Sequence, residues 1–447
     1  MSQMNWLQLL SNKRPDSGAS TSRNAFEQDY DRIIFSHAFR SLQDKTQVFP
    51  LATPSFVHTR LTHSLEVSSV ARSLGQLVGE QLLTRYPDLR ERNITSHDIG
   101  LIASSAALAH DIGNPPFGHS GEAAISEYFS ACKKDGQLKG LTEEQWADLT
   151  HFEGNAQGFR LLTEGRRQGL QVTYATLGAF TKYPCAASID RSENKRKSQK
   201  KHGFYFSGIG RFVDASDELG LKWLKKHTWC RHPLAFLVEA ADDICYAVID
   251  LEDATNLGLV DFETTKRLLS EILGDRYDEG KLKEKIILRE KTGILRALAI
   301  NQLIAETVEV FMQKEEEIRA GSFDDALTDH IPSARALKKI IELSIDKIYR
   351  SKIVVEKEVA GFEILQGLLQ TFIPAMEYKL QEPKKRNWKY DSVLGLLPEE
   401  THFLLQETSN MYDGILLMLD FISGLTDSRA LQLFQNIKGS RVSGYTM

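Results

Sequence analysis

One stretch of the chain, HDIGNPPFGHSGE at residues 110–122, places two histidines and two carboxylates around a rigid bend. His110 and Asp111 offer a nitrogen and an oxygen ligand side by side, a donor set that suits Mg, Mn, Fe or Zn. The glycines and prolines that follow end a helix and turn the chain. His119 and Glu122 then lie three residues apart, on one face of the next helix. The stretch predicts a metal site, and the alternative is an ordinary helix end whose histidine complements the helix dipole.

Two further stretches supply the remaining ligands that a metal site needs. His63 lies in the first turns of a helix predicted over residues 58–83, although a lone histidine there can also be a hydrogen-bonded core residue. Asp242, Tyr246 and Asp250 recur at i, i+4 and i+8 of a helix predicted over residues 232–256, so they share one stripe. Polar groups on an otherwise apolar stripe are costly to bury without partners. We therefore expect this stripe to face a metal or a polar cavity.

Composition limits the compartment and the class of partner. The chain has 447 residues, 42% hydrophobic and 26% charged, with a net charge of −5, so it has no overall attraction to nucleic acid or membrane. It begins without a secretory signal pattern, and no apolar run approaches the eighteen or so residues that span a bilayer. The four cysteines form no CxxC pair and fit a reducing compartment. These features predict a cytoplasmic protein without a membrane span.

Helical periodicity runs through most of the chain and predicts an all-α fold. The predicted divisions are a flexible N-terminal arm (residues 1–22), a catalytic core (23–260) and a helical C-terminal region packed on that core (261–447). Two basic loops, residues 191–201 and 384–389, interrupt the pattern. Each is either a solvated surface loop or a contact to a polyphosphate or nucleic acid.

The order His63, His110–Asp111, Asp242 resembles the H…HD…D ligand order of the HD superfamily of metal-dependent phosphohydrolases. The similarity extends further, to the deoxyguanosine triphosphate triphosphohydrolase family. The motifs that carry it are FRSLQDKTQVF, RLTHSLEV, HDIGNPPFGHSGE, LGAFTKYP, EAADDICY and, in the C-terminal part, DFISGLTD. The resemblance implies an HD-domain helical core with additional C-terminal helices.

The resemblance also implies a reaction, in which water attacks the α-phosphorus of a deoxynucleoside triphosphate and releases deoxynucleoside and triphosphate. The implied cofactor is a divalent metal, Mg²⁺ or Mn²⁺ first, with Fe²⁺, Co²⁺, Ni²⁺ and Zn²⁺ as alternatives. The implied catalytic pair is His119 and Glu122. The implied metal ligands are His63, His110, Asp111 and Asp242. The implied substrate contacts are Gln47, Val48, Arg60, Lys182, Tyr246 and Asp250. Of these, Tyr246 would exclude a 2′-hydroxyl and Asp250 would hold the 3′-hydroxyl.

Several partners and alternatives stay open at this point. The family resemblance implies a homo-oligomer, such as a hexamer, and allows an allosteric nucleotide or single-stranded DNA as a further ligand. A second enzyme hypothesis is an HD phosphodiesterase or 5′-nucleotidase, which needs the same four ligands but not the basic phosphate contacts. A third is a nucleotide- or single-stranded-DNA-binding regulator with a vestigial metal site. The family pattern tends to carry tyrosine where this chain has Arg429, and no role for Arg429 follows from the sequence.

Overall fold

A computed structural model describes residues 3–15, 23–47, 58–164, 169–191, 196–280, 285 and 287–440, and it confirms the all-α prediction. The described residues form helices and one short antiparallel hairpin, β1 (Trp223–Lys225) paired with β2 (Thr228–Trp229). The α-helices are α1 Trp6–Leu9, α2 Ala25–Phe35, α3 His37–Ser41, α4 Arg60–Arg85, α5 Asp88–Glu91, α6 Ser96–Ala109, α7 His119–Lys134, α8 Glu143–Thr150, α9 Gly154–Thr163, α10 Tyr174–Phe180, α11 Ile209–Leu219, α12 Pro233–Asn256, α13 Phe262–Leu273, α14 Leu288–Ala320, α15 Ala334–Ser344, α16 Lys352–Gln381, α17 Trp388–Leu394, α18 Glu399–Glu407, α19 Met411–Gly424 and α20 Asp427–Ile437. A π-helix, Ile345–Tyr349, follows α15 and precedes α16.

The centre of the fold is a pair of closely packed helices, α4 and α6. A Cβ added at Gly75 of α4 would lie 2.9 Å from Gly100 Cα of α6, so only glycine allows this approach. Thr59 caps α4 and Thr95 caps α6, and each forms a capping box with the residue three positions later. The long helix α12 packs on both helices. His63 on α4, His110 at the end of α6 and Asp242 on α12 therefore come from three mutually packed helices.

A second apolar cluster joins the C-terminal helices to the helix that follows the HDIGNPPFGHSGE loop. Leu368 of α16 and Leu416 of α19 are fully buried in the same cluster as Phe129 of α7 and Leu149 of α8. By contrast, α14 packs on α12 in the first cluster. The helices of the C-terminal half therefore contribute to both apolar clusters. The second cluster includes residues of α7, the helix that carries His119 and Glu122.

The flexible arm predicted for residues 1–22 is wrong for residues 3–15. Trp6 is 2% exposed, and its indole Nε1 donates to Glu315 Oε1 of α14 at 2.7 Å. Leu9 and Leu10 are also buried. The apolar residues of NWLQLL make this segment part of the core, and the polar residues around them obscured that in the sequence. Residues 1–2 and 16–22 of the predicted arm lie outside the described residues.

One helical stretch, residues 354–381, is long and apolar enough to cross a membrane by length and composition. More than half of its most apolar window, 56%, is buried inside the protein. Its buried face packs on α7 and α19 in the second cluster. The apolar composition of this stretch is accounted for by that packing.

Candidate metal centre and substrate pocket

Three of the four predicted metal ligands converge. His63 Nε2 lies 3.1 Å from Asp242 Oδ1, and His110 Nε2 lies 3.8 Å from the same oxygen. One donor atom from each of the three side chains lies within 4.8 Å of the others. His110 Nδ1 lies 2.6 Å from the carbonyl oxygen of Ala107, a contact that assigns the proton to Nδ1 and leaves Nε2 for a ligand. The donor set fits a divalent metal.

The charges at these ligands support one another. Burial alone would lower the pKa of His63, but the Asp242 carboxylate holds that pKa above its ordinary value. Burial alone would raise the pKa of Asp242, and the two histidines together with Lys182 nevertheless hold it well below its usual range. A metal requires an ionised carboxylate and a ring nitrogen without a proton on each histidine, so metal binding would displace the proton that the raised pKa of His63 favours.

The fourth predicted ligand, Asp111, is engaged by an arginine. Arg60 Nη1 donates to Asp111 Oδ2 at 2.8 Å, and Asp111 Oδ1 lies 3.5 Å from His110 Nε2. Asn114 Nδ2 also donates to Oδ1. Burial would raise the pKa of Asp111, but Arg60 and the two histidines hold it below the ordinary value. Asp111 is therefore ionised beside the three converging donors, with Arg60 balancing its charge.

The loop after Asp111 directs His119 outward and Glu122 inward. Phe117 and Gly118 have φ values of +63° and +58°, and a Cβ at Gly118 would lie 2.8 Å from Arg60 Nη2. His119 Nδ1 lies 2.8 Å from Glu122 Oε2, while Gly154 N donates to Glu122 Oε1 at 2.8 Å. The His119 side chain is 86% exposed and that of Glu122 is 12% exposed. An exposed imidazole is thus held from behind by a buried carboxylate.

Asp242, Tyr246 and Asp250 lie on one stripe of α12, as their spacing predicts. Tyr246 stacks in parallel on Tyr349, with ring centroids 5.7 Å apart at 5°. The Tyr349 hydroxyl donates to Asp250 Oδ2. Burial raises the pKa of Asp250 to about 7 and that of Tyr246 to about 12. Tyr349 had no signal in the sequence; it is the last residue of the π-helix, a type of element that is frequent at functional sites.

The three remaining predicted substrate contacts, Lys182, Gln47 and Val48, differ in what the structure shows of them. Lys182 Nζ lies 3.4 Å from Glu239 Oε1 of α12, and although burial lowers the pKa of Lys182, Glu239 and other acidic neighbours raise it overall. Gln47 Oε1 is buried without a hydrogen-bond partner among the residues that the structure describes. The predicted contact Val48 lies outside the described residues.

Both basic loops contain charges that are paired within the protein; in the loop 384–389, Lys385 Nζ lies 2.8 Å from Glu382 Oε1. In the loop 191–201, Arg191 donates to Ala187 O at 2.7 Å, and Lys201 Nζ lies 3.0 Å from Glu153 Oε1. Residues 192–195 of this loop lie outside the described residues. In the loop 384–389, Trp388 is 85% exposed. Much of the first loop's charge therefore stabilises the loop itself and its neighbours.

Sequence reasoning missed a contact between the C-terminal segment and the HDIGNPPFGHSGE loop. Asp427, 1% exposed, accepts hydrogen bonds from the backbone N–H groups of Phe117 and Thr46. Lys45, 2% exposed, donates to the carbonyl oxygens of Asn114 and Ser423. The only sequence signal was the presence of Asp427 in the DFISGLTD motif. A separation of 381 residues between Thr46 and Asp427 gives no periodicity to read.

Comparisons with known proteins show the family to which the chain is related. The HD domain family matches residues 60–145, which contain His63, His110 and Asp111. The chain is 41% identical to a "Deoxyguanosinetriphosphate triphosphohydrolase-like protein" of Synechocystis sp., over 98% of this chain and 99% of that protein. Proteins with the same description from Pseudomonas aeruginosa (98% and 99% covered) and Listeria monocytogenes (98% and 100% covered) are each 37% identical. The similarity spans both halves of the chain, including the C-terminal helices.

Proposed function

Because the chain belongs to the family of deoxyguanosinetriphosphate triphosphohydrolase-like proteins, we propose that it is a metal-dependent deoxynucleoside triphosphate triphosphohydrolase. The observation that carries the proposal is the cluster of His63, His110 and Asp242 next to the Arg60–Asp111 pair. A divalent metal there, Mg²⁺ or Mn²⁺ first, would supply Lewis-acid activation and charge neutralisation. Asp111, which is ionised beside the cluster, would complete the ligand set.

The residues around the cluster support a phosphoryl substrate. Arg60 is a buried cation and Lys182 is a partly buried one, with a side chain 27% exposed. Both lie close to the acidic residues of the site, and such cations bind phosphate oxygens strongly. His119, held by Glu122, would donate a proton to the departing O5′ when the bond between the α-phosphorus and O5′ breaks. Water would attack the α-phosphorus as that bond breaks, so the products are a deoxynucleoside and intact triphosphate.

The aromatic wall supports selection of the sugar. Tyr246 stands one helical turn beyond Asp242, so its ring lies beside whatever Asp242 helps to hold. A ring in van der Waals contact with C2′ leaves no room for a 2′-hydroxyl. Asp250, one turn further on, would accept a hydrogen bond from the 3′-hydroxyl in place of the one that it accepts from the Tyr349 hydroxyl.

The products test the proposal directly. The purified protein is incubated with each dNTP and each NTP, with Mg²⁺ or Mn²⁺, in water enriched in ¹⁸O. Triphosphate carrying one ¹⁸O, together with unlabelled deoxynucleoside, is the expected result. Orthophosphate with a diphosphate, or orthophosphate released only from monophosphates, would instead identify a different HD phosphohydrolase.

The predicted homo-oligomer, single-stranded DNA and allosteric nucleotide stay predictions, which sedimentation and binding assays on the same preparation would check.

A further inference from the structure

We infer that Asp427 and Lys45, from opposite ends of the chain, are positioning residues that hold the two loops of the active site in register. The inference rests on the proposed function for its kinetic readout and on hydrogen exchange for a readout that needs no substrate. Neither side chain is assigned a contact with substrate or metal.

Asp427 binds one backbone N–H with each carboxylate oxygen. Phe117 N donates to Oδ1 at 2.9 Å, and Thr46 N donates to Oδ2 at 3.1 Å. Phe117 lies two residues before the proposed proton donor His119, and Thr46 lies immediately before the proposed sugar contact Gln47. One buried carboxylate therefore links the reacting side of the site to its sugar side.

Lys45 makes a second link between the same loops. Its Nζ donates to Asn114 O at 2.7 Å and to Ser423 O at 2.6 Å. Asn114 in turn donates its side-chain amide to the predicted ligand Asp111. Arg60 N donates to Lys45 O at 3.0 Å, so the residue that pairs with Asp111 is attached to the same segment.

The backbone at Phe117 explains why such a link is needed. A bulky residue with φ of +63° adopts a conformation that persists only when surrounding contacts determine it. Gly118 follows with φ of +58°, and together they set the direction of His119. Asp427 accepts the N–H of the strained residue itself. It is therefore placed to keep the imidazole aimed at the substrate.

The test compares Asp427→Asn with Asp148→Asn. Asparagine keeps the volume of Asp427 but turns a donor amide toward one of the two N–H groups, so one link is lost. Asp148 is a matched control because it is 1% exposed and accepts hydrogen bonds from Phe206 N at 2.7 Å and from the Tyr412 hydroxyl. Among the described residues it has no hydrogen bond to either loop. If Asp427→Asn fails to fold, Lys45→Met replaces it, because methionine removes both Nζ hydrogen bonds with little change of volume.

For Asp427→Asn we expect kcat/KM to fall by about tenfold to a hundredfold, mainly in kcat, as for other misplacements of catalytic groups. Bound Mn²⁺ should stay near the wild-type amount, and deuterium exchange should accelerate at residues 44–47 and 114–118. Asp148→Asn should leave both kcat/KM and the deuterium exchange of these two segments unchanged. Wild-type turnover in Asp427→Asn, or an equal loss of turnover in Asp148→Asn, would overturn the inference. If the wild-type protein releases no triphosphate, the proposed function fails, and exchange alone decides: unchanged exchange at both segments overturns the positioning role, and local acceleration supports it.

Discussion

Arg60 Nη1 lies 2.8 Å from Asp111 Oδ2, so a side chain expected at the phosphates pairs with a predicted metal ligand. Both side chains are 9% exposed. Breaking a buried pair by removing one partner leaves a charge without compensation. Because of the Arg60–Asp111 pair, the free energy of unfolding should depend on whether a metal ion is bound at the site.

Replacing Arg60 should destabilise the metal-free protein more than the metal-loaded protein. We expect Arg60→Met to lower the free energy of unfolding by about 3–5 kcal/mol in EDTA, because Asp111 is left buried and unpaired. Mn²⁺ should recover part of that loss, since a cation then neutralises the carboxylate. Thermal and denaturant unfolding with and without Mn²⁺ provide the measurement. The same loss in both conditions would show that Asp111 does not face the metal.

The metal should depend on His110 and not on a histidine elsewhere on α6. His110→Ala removes one of the three converging donors and should abolish stoichiometric binding. His97→Ala is the control, because His97 lies in the first turn of the same helix with a side chain 55% exposed. Elemental analysis and Mn²⁺ titration of both variants measure the effect. A full complement of metal in His110→Ala would place the site elsewhere.

Tyr246 should enforce deoxyribose, and Tyr349 should not. Tyr246→Ala removes the ring beside the predicted sugar position, so turnover of GTP relative to dGTP should rise. Tyr349→Phe keeps the stacked ring but frees Asp250 from the Tyr349 hydroxyl, so it should alter KM with little change in sugar discrimination. Steady-state kinetics with matched deoxy- and ribonucleotides test both. If Tyr246→Ala discriminates as the wild type does, the steric explanation is wrong.

His119 and Glu122 should affect rate without affecting metal content. We expect His119→Ala to lower kcat by about 10²- to 10⁴-fold, the usual contribution of a positioned acid. Glu122→Gln should lose less, and the double variant little more than His119→Ala, because residues acting as a unit are non-additive. Melting temperature is measured on the same preparations. Normal turnover in a destabilised His119→Ala protein would reduce His119 to a helix-end residue.

His58 should give the protein a pH-dependent stability. Its Nδ1 lies 2.6 Å from Asp253 Oδ2 and its Nε2 lies 3.3 Å from Glu66 Oε1, and these hydrogen bonds raise the pKa of His58 to about 10. A raised pKa in the folded state stabilises the protein fully below the unfolded pKa, about 6.5 for histidine. That contribution is lost as the pH rises from about 6.5 toward 10.

The variant His58→Gln tests this dependence. It should be less stable than the wild type at pH 6 by about 1.5–3 kcal/mol, the range for hydrogen bonds to charged groups. The two proteins should approach each other near pH 10. Unfolding curves measured from pH 6 to pH 10 provide the comparison, and a constant difference across that range would show that His58 is not charged in the folded protein.

The sequence by itself determined the helical fold, the family and the local side-chain pairs that make up the candidate site. Helical spacing placed Asp242, Tyr246 and Asp250 on one stripe of α12, and the Gly-Pro loop placed His119 and Glu122 on one helical face. These are local relationships, which the geometry of a single helix or turn dictates. The motif order also indicated the family before any contact was known, because the ligand residues and their neighbours stand in short, contiguous stretches.

The tertiary structure alone decided which distant segments complete the site. No periodicity relates Thr46 to Asp427 or Trp6 to Glu315, because such contacts depend on how whole helices pack. Packing also decided that Arg60 pairs with Asp111 and that the Tyr349 hydroxyl donates a hydrogen bond to Asp250. A buried charge without a partner is costly, and in this fold the partner comes from a residue far away in the sequence.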